Sequence, residues 1–201
     1  YRIIMAIEIS KVIQDWVPNG SKIIDFGCGD GTLLEKLMKE KNVQGYGVEI
    51  NDEKILSCIE KNVPVIKLDI DFGLNDFELS NFDMSIMARS IQCLKNPNIA
   101  LEKMLSFSKT CVVTLPNLGY WRCRINLGIG KMPVTPDLPS SWYETENIHL
   151  CTIRDFENLC EKQSITIKEK FFISPKNKKG IMSSLNPNFF ATEGVYLLEK
   201  E

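Results

Sequence analysis

Apolar residues recur along this chain in two rhythms that alternate through most of its length. Ile23-Ile24-Asp25-Phe26, Gly45-Tyr46-Gly47-Val48-Glu49-Ile50, residues 63–68, residues 82–88 and residues 110–115 are short apolar runs with the length and β-branched content of buried strands. Between them apolar side chains return every three or four residues, the period of one helix face. Leu33, Leu34, Leu37 and Met38 form one such stripe, Ile55, Leu56 and Ile59 a second, and Leu101, Met104 and Leu105 a third, each expected to face a core. Start signals agree: Thr32-Leu33-Leu34-Glu35 fits a capping box, Asn51 or Asp52 precedes the second stripe, and Asn96-Pro97 precedes the third. Strands alternating with helices predict a mostly parallel sheet covered on both faces.

The ends of the chain extend this pattern. Ile9, Val12, Ile13 and Trp16 continue a helical period over residues 1–18, which predicts an amphipathic helix leaning on the sheet. Glu8 interrupts the opening apolar run, which is therefore no secretory signal, and the start at Tyr1 leaves room for a few native residues ahead of it. Residues 71–81 are acidic and aperiodic and read as loop. Near the far end, Thr152 and Asp155 cap a predicted helix over 153–162 that buries Phe156, Leu159 and Cys160. Residues 165–173 then alternate as a strand, residues 194–199 are its antiparallel partner, and the basic run at 176–180 reads as a solvated turn.

One stretch carries the candidate chemistry. The first strand runs straight into Gly27-Cys28-Gly29-Asp30-Gly31, whose alternate glycines remove the Cβ atoms that would hold a ligand off the main chain. A dinucleotide fingerprint needs a small residue at 32, where the chain has Thr32, and no phosphate-cradling loop occurs, since Gly130-Lys131 lacks both the earlier glycine and the following Ser or Thr. Asp25 just before the glycines would repel a pyrophosphate but suits a ligand with an ammonium group, as in S-adenosylmethionine (SAM). Glu49 ends the next strand about 20 residues on, where a βαβ unit presents an acid to a ribose diol, and Asp69 follows the third. Three successive strands each end in an acid.

Composition narrows the alternatives. With 201 residues and 44% hydrophobic content the chain is long enough for one well-buried domain, and it has no linker-like stretch. A net charge of −2 provides no general attraction to nucleic acid or an anionic membrane. Seven cysteines without a C-x-x-C pair, and a single histidine, argue against a zinc or other metal site. Thiols inside apolar runs fit a reducing cytoplasm, and no run is long enough to span a membrane.

The glycine stretch continued to Leu34, together with residues 45–50, resembles class I SAM-dependent methyltransferases. Three further blocks, Pro116-Asn117-Leu118-Gly119-Tyr120-Trp121-Arg122, Met132-Pro133-Val134-Thr135 and residues 142–152, resemble more narrowly the methionine biosynthesis protein family MetW, and the likeness spans residues 10–173. The resemblance implies a three-layer Rossmann-like methyltransferase fold binding SAM or S-adenosylhomocysteine. It places Asp25, Gly27, Cys28, Gly29 and Gly31 around the methionyl part, Glu49 at the ribose and Asp69 with Ile70 beside the adenine; Ile50 would also belong to the cofactor site, and Arg89 would share their sheet edge. It also implies homoserine O-acyltransferase as partner, with SAM, the end product of that pathway, as a sensed ligand.

The alternative is methyl transfer to a small molecule. After the fourth strand stands Arg89-Ser90-Ile91-Gln92, without the Asn/Asp-Pro-Pro-Tyr or Pro-Cys signatures of two large substrate classes. Residues 116–150 are irregular and aromatic, which suggests a lid or docking surface; Tyr120, Trp121, Tyr143 and His149 would close the pocket. His149 is the candidate base, weighed against simple local hydrogen bonding. Tyr120-Trp121-Arg122-Cys123-Arg124 mixes bases with aromatics as nucleotide-stacking surfaces do, but one such pentad in a slightly acidic chain does not make a nucleic-acid interface.

Overall fold

The computed structural model describes residues 2–74, 81–135, 138–146, 148–174 and 185–200, residues 2–8 by their backbone alone. After helix α1 (Arg2–Trp16) come β1 (Lys22–Phe26), α2 (Thr32–Lys41), β2 (Gln44–Glu49), α3 (Asp52–Glu60), β3 (Val65–Lys67) and a single turn α4 (Ile70–Gly73). The chain continues through β4 (Phe82–Ala88), α5 (Pro97–Phe107), β5 (Ser108–Pro116), α6 (Trp121–Gly128), α7 (Ile153–Lys162), β6 (Ile165–Ile173), α8 (Pro187–Phe190) and β7 (Glu193–Lys200). The seven strands form one sheet in the order β3-β2-β1-β4-β5-β7-β6, parallel except for β7, which runs antiparallel between β5 and β6.

Period-two side-chain alternation divides this sheet between two cores. Ile23, Ile86, Val112, Val195 and Leu197 point to one face, where Ile9, Ile13 and Val17 of the α1 region, Leu34 and Leu37 of α2, and Cys58 of α3 cover them. Ile24, Phe26, Met87, Val113, Tyr196 and Leu198 point to the other, under Leu101, Met104 and Leu105 of α5 and Phe156 and Cys160 of α7. Both faces are covered, so the central strands read as nearly continuous apolar runs. This is the three-layer α/β architecture with an antiparallel C-terminal pair that the periodicity predicts. The Thr152–Asp155 capping box forms as expected.

Local expectations fail at several points. Residues 121–128, inside the stretch read as irregular, form α6, and residues 70–73, at the head of the stretch read as loop, form α4. Thr32 does not cap α2: Gly31, with φ +76°, takes the cap position, and Thr32 is already helical. Its hydroxyl and amide instead donate to Asp30, at 2.8 and 3.2 Å, while Glu35 pairs with Lys39 at 2.6 Å. In α3 the inward face is Ile55 and Cys58, and Leu56 and Ile59 are exposed. The reason is space: Cys58 packs against the glycine turn, where a Cβ on Gly31 would stand 2.9 Å from its sulfur, so the helix presents its smallest apolar residue there. The basic run at 176–180 lies outside the described residues, as do residues 75–80 of the acidic segment.

Candidate functional site

Parallel strands bring their carboxyl ends to one edge, and the strand order reverses between β1 and β4, with β2 on one side and β5 on the other. Open α/β sheets bind ligands in that crevice. Asp25 near the end of β1, Glu49 at the end of β2, Asp69 two residues beyond β3 and Arg89 directly after β4 all stand there.

The turn after β1 is shaped by close approach. The amides of Gly27 and Cys28 both donate to Val48 O, at 2.8 and 3.1 Å, which folds the chain over the end of β2. Gly27 has φ +75°, and a Cβ there would meet Ser90 Oγ at 2.4 Å. Gly29 also has a left-handed backbone, φ +59°, but a Cβ there would face open space. α3 braces the outside of the turn: Lys61 Nζ donates to Asp30 O, Asp30 Oδ2 and Thr32 Oγ1 at 2.7–2.8 Å, and the Cys58 thiol donates to Gly29 O at 3.3 Å.

Asp25 is 1% exposed, and its Oδ1 has no hydrogen-bond partner among the described residues. Burial, then the neighbouring charge of Glu49, pushes its carboxyl up to about 7. A buried acceptor left open in this way suits an incoming donor, above all a cationic one. Glu49, also buried, is heavily engaged: Oε2 accepts from Gly29 N at 2.9 Å, and Oε1 from Ile50 N and Asn51 N at 2.9 and 3.0 Å. A carboxylate has about four acceptor sites, so about one remains open.

The other expected residues divide. Asp69 caps α4, accepting from Asp71 N at 2.9 Å; Ile70 is half-buried, while Ile50 is exposed. Arg89 takes a left-handed backbone, φ +60°, and its guanidinium forks onto Glu193, with Nε 2.9 Å from Oε1, although 104 residues separate them. Glu193 is fully buried at the start of β7, and sequence reading passed over it. An acid heading the apolar run 194–198 was the available signal. Lys61 was missed for a different reason, since a lysine ending a helix is unremarkable by itself.

Cys28 and Cys58 have sulfurs 3.9 Å apart beside the turn. Burial above all pushes both thiols up, Cys28 also feeling the charge of Asp25, so they serve as packing rather than as nucleophiles.

The four residues expected to close a pocket stand in different surroundings. Tyr120 is buried beside a half-buried Trp121, Tyr143 lies exposed against Trp142, and His149 is exposed with Nε2 3.2 Å from Lys95 O. A cleft of about 440 Å³ forms instead among Leu118, Met132, Pro133, Leu138, Ser140, Trp142, Thr145, Ile148 and Leu150. No metal-binding group of three His, Cys, Asp or Glu side chains, and no helix long and apolar enough to cross a membrane, occurs among the described residues.

This architecture is the SAM-dependent methyltransferase fold. The whole chain superposes on 95% of a SAM-dependent methyltransferase from Archaeoglobus fulgidus with a TM-score of 0.69 at 18% identity. It also superposes on 83% of magnesium protoporphyrin IX methyltransferase from Synechocystis, solved with bound S-adenosylhomocysteine, with a TM-score of 0.67 at 12% identity. Within that class, residues 8–198 match the family model of methionine biosynthesis protein MetW, and the chain belongs to that family. A bifunctional methionine biosynthesis protein MetXA/MetW from Rhodopirellula baltica is 27% identical over 94% of this chain, which spans about a third (32%) of that relative's length.

Proposed function

We propose that this chain is a SAM-binding subunit of methionine biosynthesis that activates or regulates homoserine O-acyltransferase. The observation that carries the ligand is Asp25: a fully buried carboxylate with one oxygen open, at the foot of a glycine-rich turn. Asp25 would face the ammonium, and residues 27–31, including Gly27, Cys28, Gly29 and Gly31, would enclose the methionyl chain. Glu49 would take one ribose hydroxyl at its open site and a second by exchanging the Gly29 amide. Ile50, Asp69 and Ile70 would border the adenine. Arg89, held by Glu193, would form the floor beyond β4. When bound, the sulfonium supplies a positive charge and an activated methyl group; S-adenosylhomocysteine would fill the same residues without that charge.

The partner reading is supported by the family, and by a relative that carries MetXA and MetW in one polypeptide. Catalysis of methyl transfer to a small molecule has less behind it, because His149, the candidate base, is exposed and turned to a backbone carbonyl. The seven cysteines are free thiols, which fits the cytoplasm proposed from the sequence.

Calorimetry with SAM and with S-adenosylhomocysteine, repeated with the acyltransferase present, tests both halves. Binding of SAM and a rise in acyltransferase turnover on adding this chain are expected. Unchanged turnover removes the regulatory role, and label passing from methyl-labelled SAM into a metabolite of a cell extract establishes the methyltransferase reading instead.

A further inference from the structure

The residues that build the 440 Å³ cleft have no role in the site above, and several of them are exposed apolar side chains gathered around one cleft. Met132, Trp142, Ile148 and Leu150 all line it, yet each leaves 44% or more of its surface in solvent, and Trp142 leaves 72%. Ile125 and Ile129, on α6 and just beyond it, extend the same exposed apolar segment. An aromatic side chain carries roughly 150–250 Å². Trp142 and its ring neighbour Tyr143, 69% exposed, therefore leave on the order of 300 Å² uncovered. The exposed aliphatic residues that line the cleft add to this, which brings the apolar exposure to the size of the largest patches monomers carry, and those are often functional.

The segment is not loosely attached. Leu118 N donates to Cys151 O and His149 N to Gln92 O, both at 3.0 Å, tying its two ends to the carboxyl edge of the sheet. The floor of the cleft, Pro133 and Leu138, is buried. None of the nine lining residues is charged, while Lys131, Glu144 and Glu146 flank them in the chain and are exposed. An apolar, aromatic and methionine-containing centre with charges at its margin is the composition of a protein interface.

We infer that this cleft and the exposed face around it, from α6 to Leu150, are the docking surface for homoserine O-acyltransferase, receiving an apolar side chain of that enzyme in a charge-poor setting. The inference rests on the partner proposed above. Two features favour this occupant. The Rhodopirellula relative keeps MetXA and MetW in one polypeptide, so its two halves are permanent neighbours, and permanent partners cover larger and more apolar faces than transient ones. The rival exposed apolar group, Ile50, Leu56 and Ile59, begins beside Glu49 and so borders the ligand site.

The test is a titration of the purified acyltransferase with the whole chain, by calorimetry and by light scattering after size exclusion. The Trp142→Asp and Ile148→Glu variants are each expected to weaken the complex by roughly thirtyfold or more, the scale of a lost hot spot. Both should keep wild-type thermal midpoints, because the altered side chains are exposed. Leu56→Glu with Ile59→Glu should leave the complex intact. Wild-type affinity in the Trp142 and Ile148 variants overturns the surface while leaving the partner standing, as does loss of the complex in the Leu56/Ile59 variant alone. Failure of the unaltered chain to bind the acyltransferase overturns the partner reading and the surface with it. A homodimer that those two variants dissociate, with no effect on the acyltransferase, assigns the face to a second copy and overturns the proposal.

Discussion

Glu49 Oε2 accepts the Gly29 amide hydrogen at 2.9 Å, so the acid that ends β2 also holds the turn that follows β1. One side chain thereby sets the distance between the two parts of the crevice that a nucleoside and its aminoacyl tail would occupy. Glu49→Ala should weaken SAM binding by about 1.5–3 kcal/mol, the range for hydrogen bonds to a charged group. Calorimetry decides it, and unchanged affinity would move the ribose elsewhere.

Asp25 should make stability depend on pH with an unusual sign. Its folded carboxyl titrates at about 7 against 3.8 unfolded, so the folded state holds its proton more tightly. Stability from this group is full below pH 3.8 and is lost as pH rises through 7. The loss is on the order of 4 kcal/mol at most. Asp25→Asn removes that dependence and should be the more stable protein at pH 8 in urea denaturation. Parallel pH profiles for the two proteins would show that Asp25 is not the group responsible.

The same carboxyl predicts a proton released on binding. An ammonium beside Asp25 favours its charged form, so SAM affinity should rise between pH 6 and 8. Calorimetry in buffers of different ionisation enthalpy should register the released proton. Adenosine, which has no ammonium, should bind without either effect, and equal proton release by both ligands would detach Asp25 from the aminoacyl tail.

Alanine at Gly27 and at Gly29 should act differently. Both positions carry positive φ, but at Gly27 a Cβ also collides with Ser90, whereas at Gly29 it enters open space. Gly27→Ala is expected to destabilise by about 1–3 kcal/mol or more. Gly29→Ala should fold with a smaller loss and yet bind SAM at least tenfold less tightly, because the added methyl would fill open space that the proposed ligand needs. Thermal melts and calorimetry separate the two, and full SAM affinity in Gly29→Ala would place the ligand on another face.

Removing Arg89 leaves Glu193 buried and unpaired. Arg89→Met should cost about 3–5 kcal/mol, and Glu193→Gln added to it should restore part of the loss. Urea denaturation of the single and double variants measures this; no recovery in the double variant would mean that Arg89 matters through contacts other than Glu193.

Much of the molecule was determined by short-range pattern. Apolar runs and helical stripes are local properties, so strand-helix alternation, the boundaries of β4, β6 and α7, the glycine turn and the acids at strand ends could all be read from neighbouring residues. The three-layer fold followed because apolar faces of that kind can be covered in few ways. What only tertiary structure decided is which groups meet across the sheet. Cys58 rather than Leu56 turns inward because the glycine turn leaves room for nothing larger. Arg89 finds Glu193 because β7 inserts beside β5, and Asp25 is left with an open oxygen because the neighbouring strands bury it without supplying a donor. Such partners stand tens of residues apart in the chain, and periodicity carries no information about pairing at that distance.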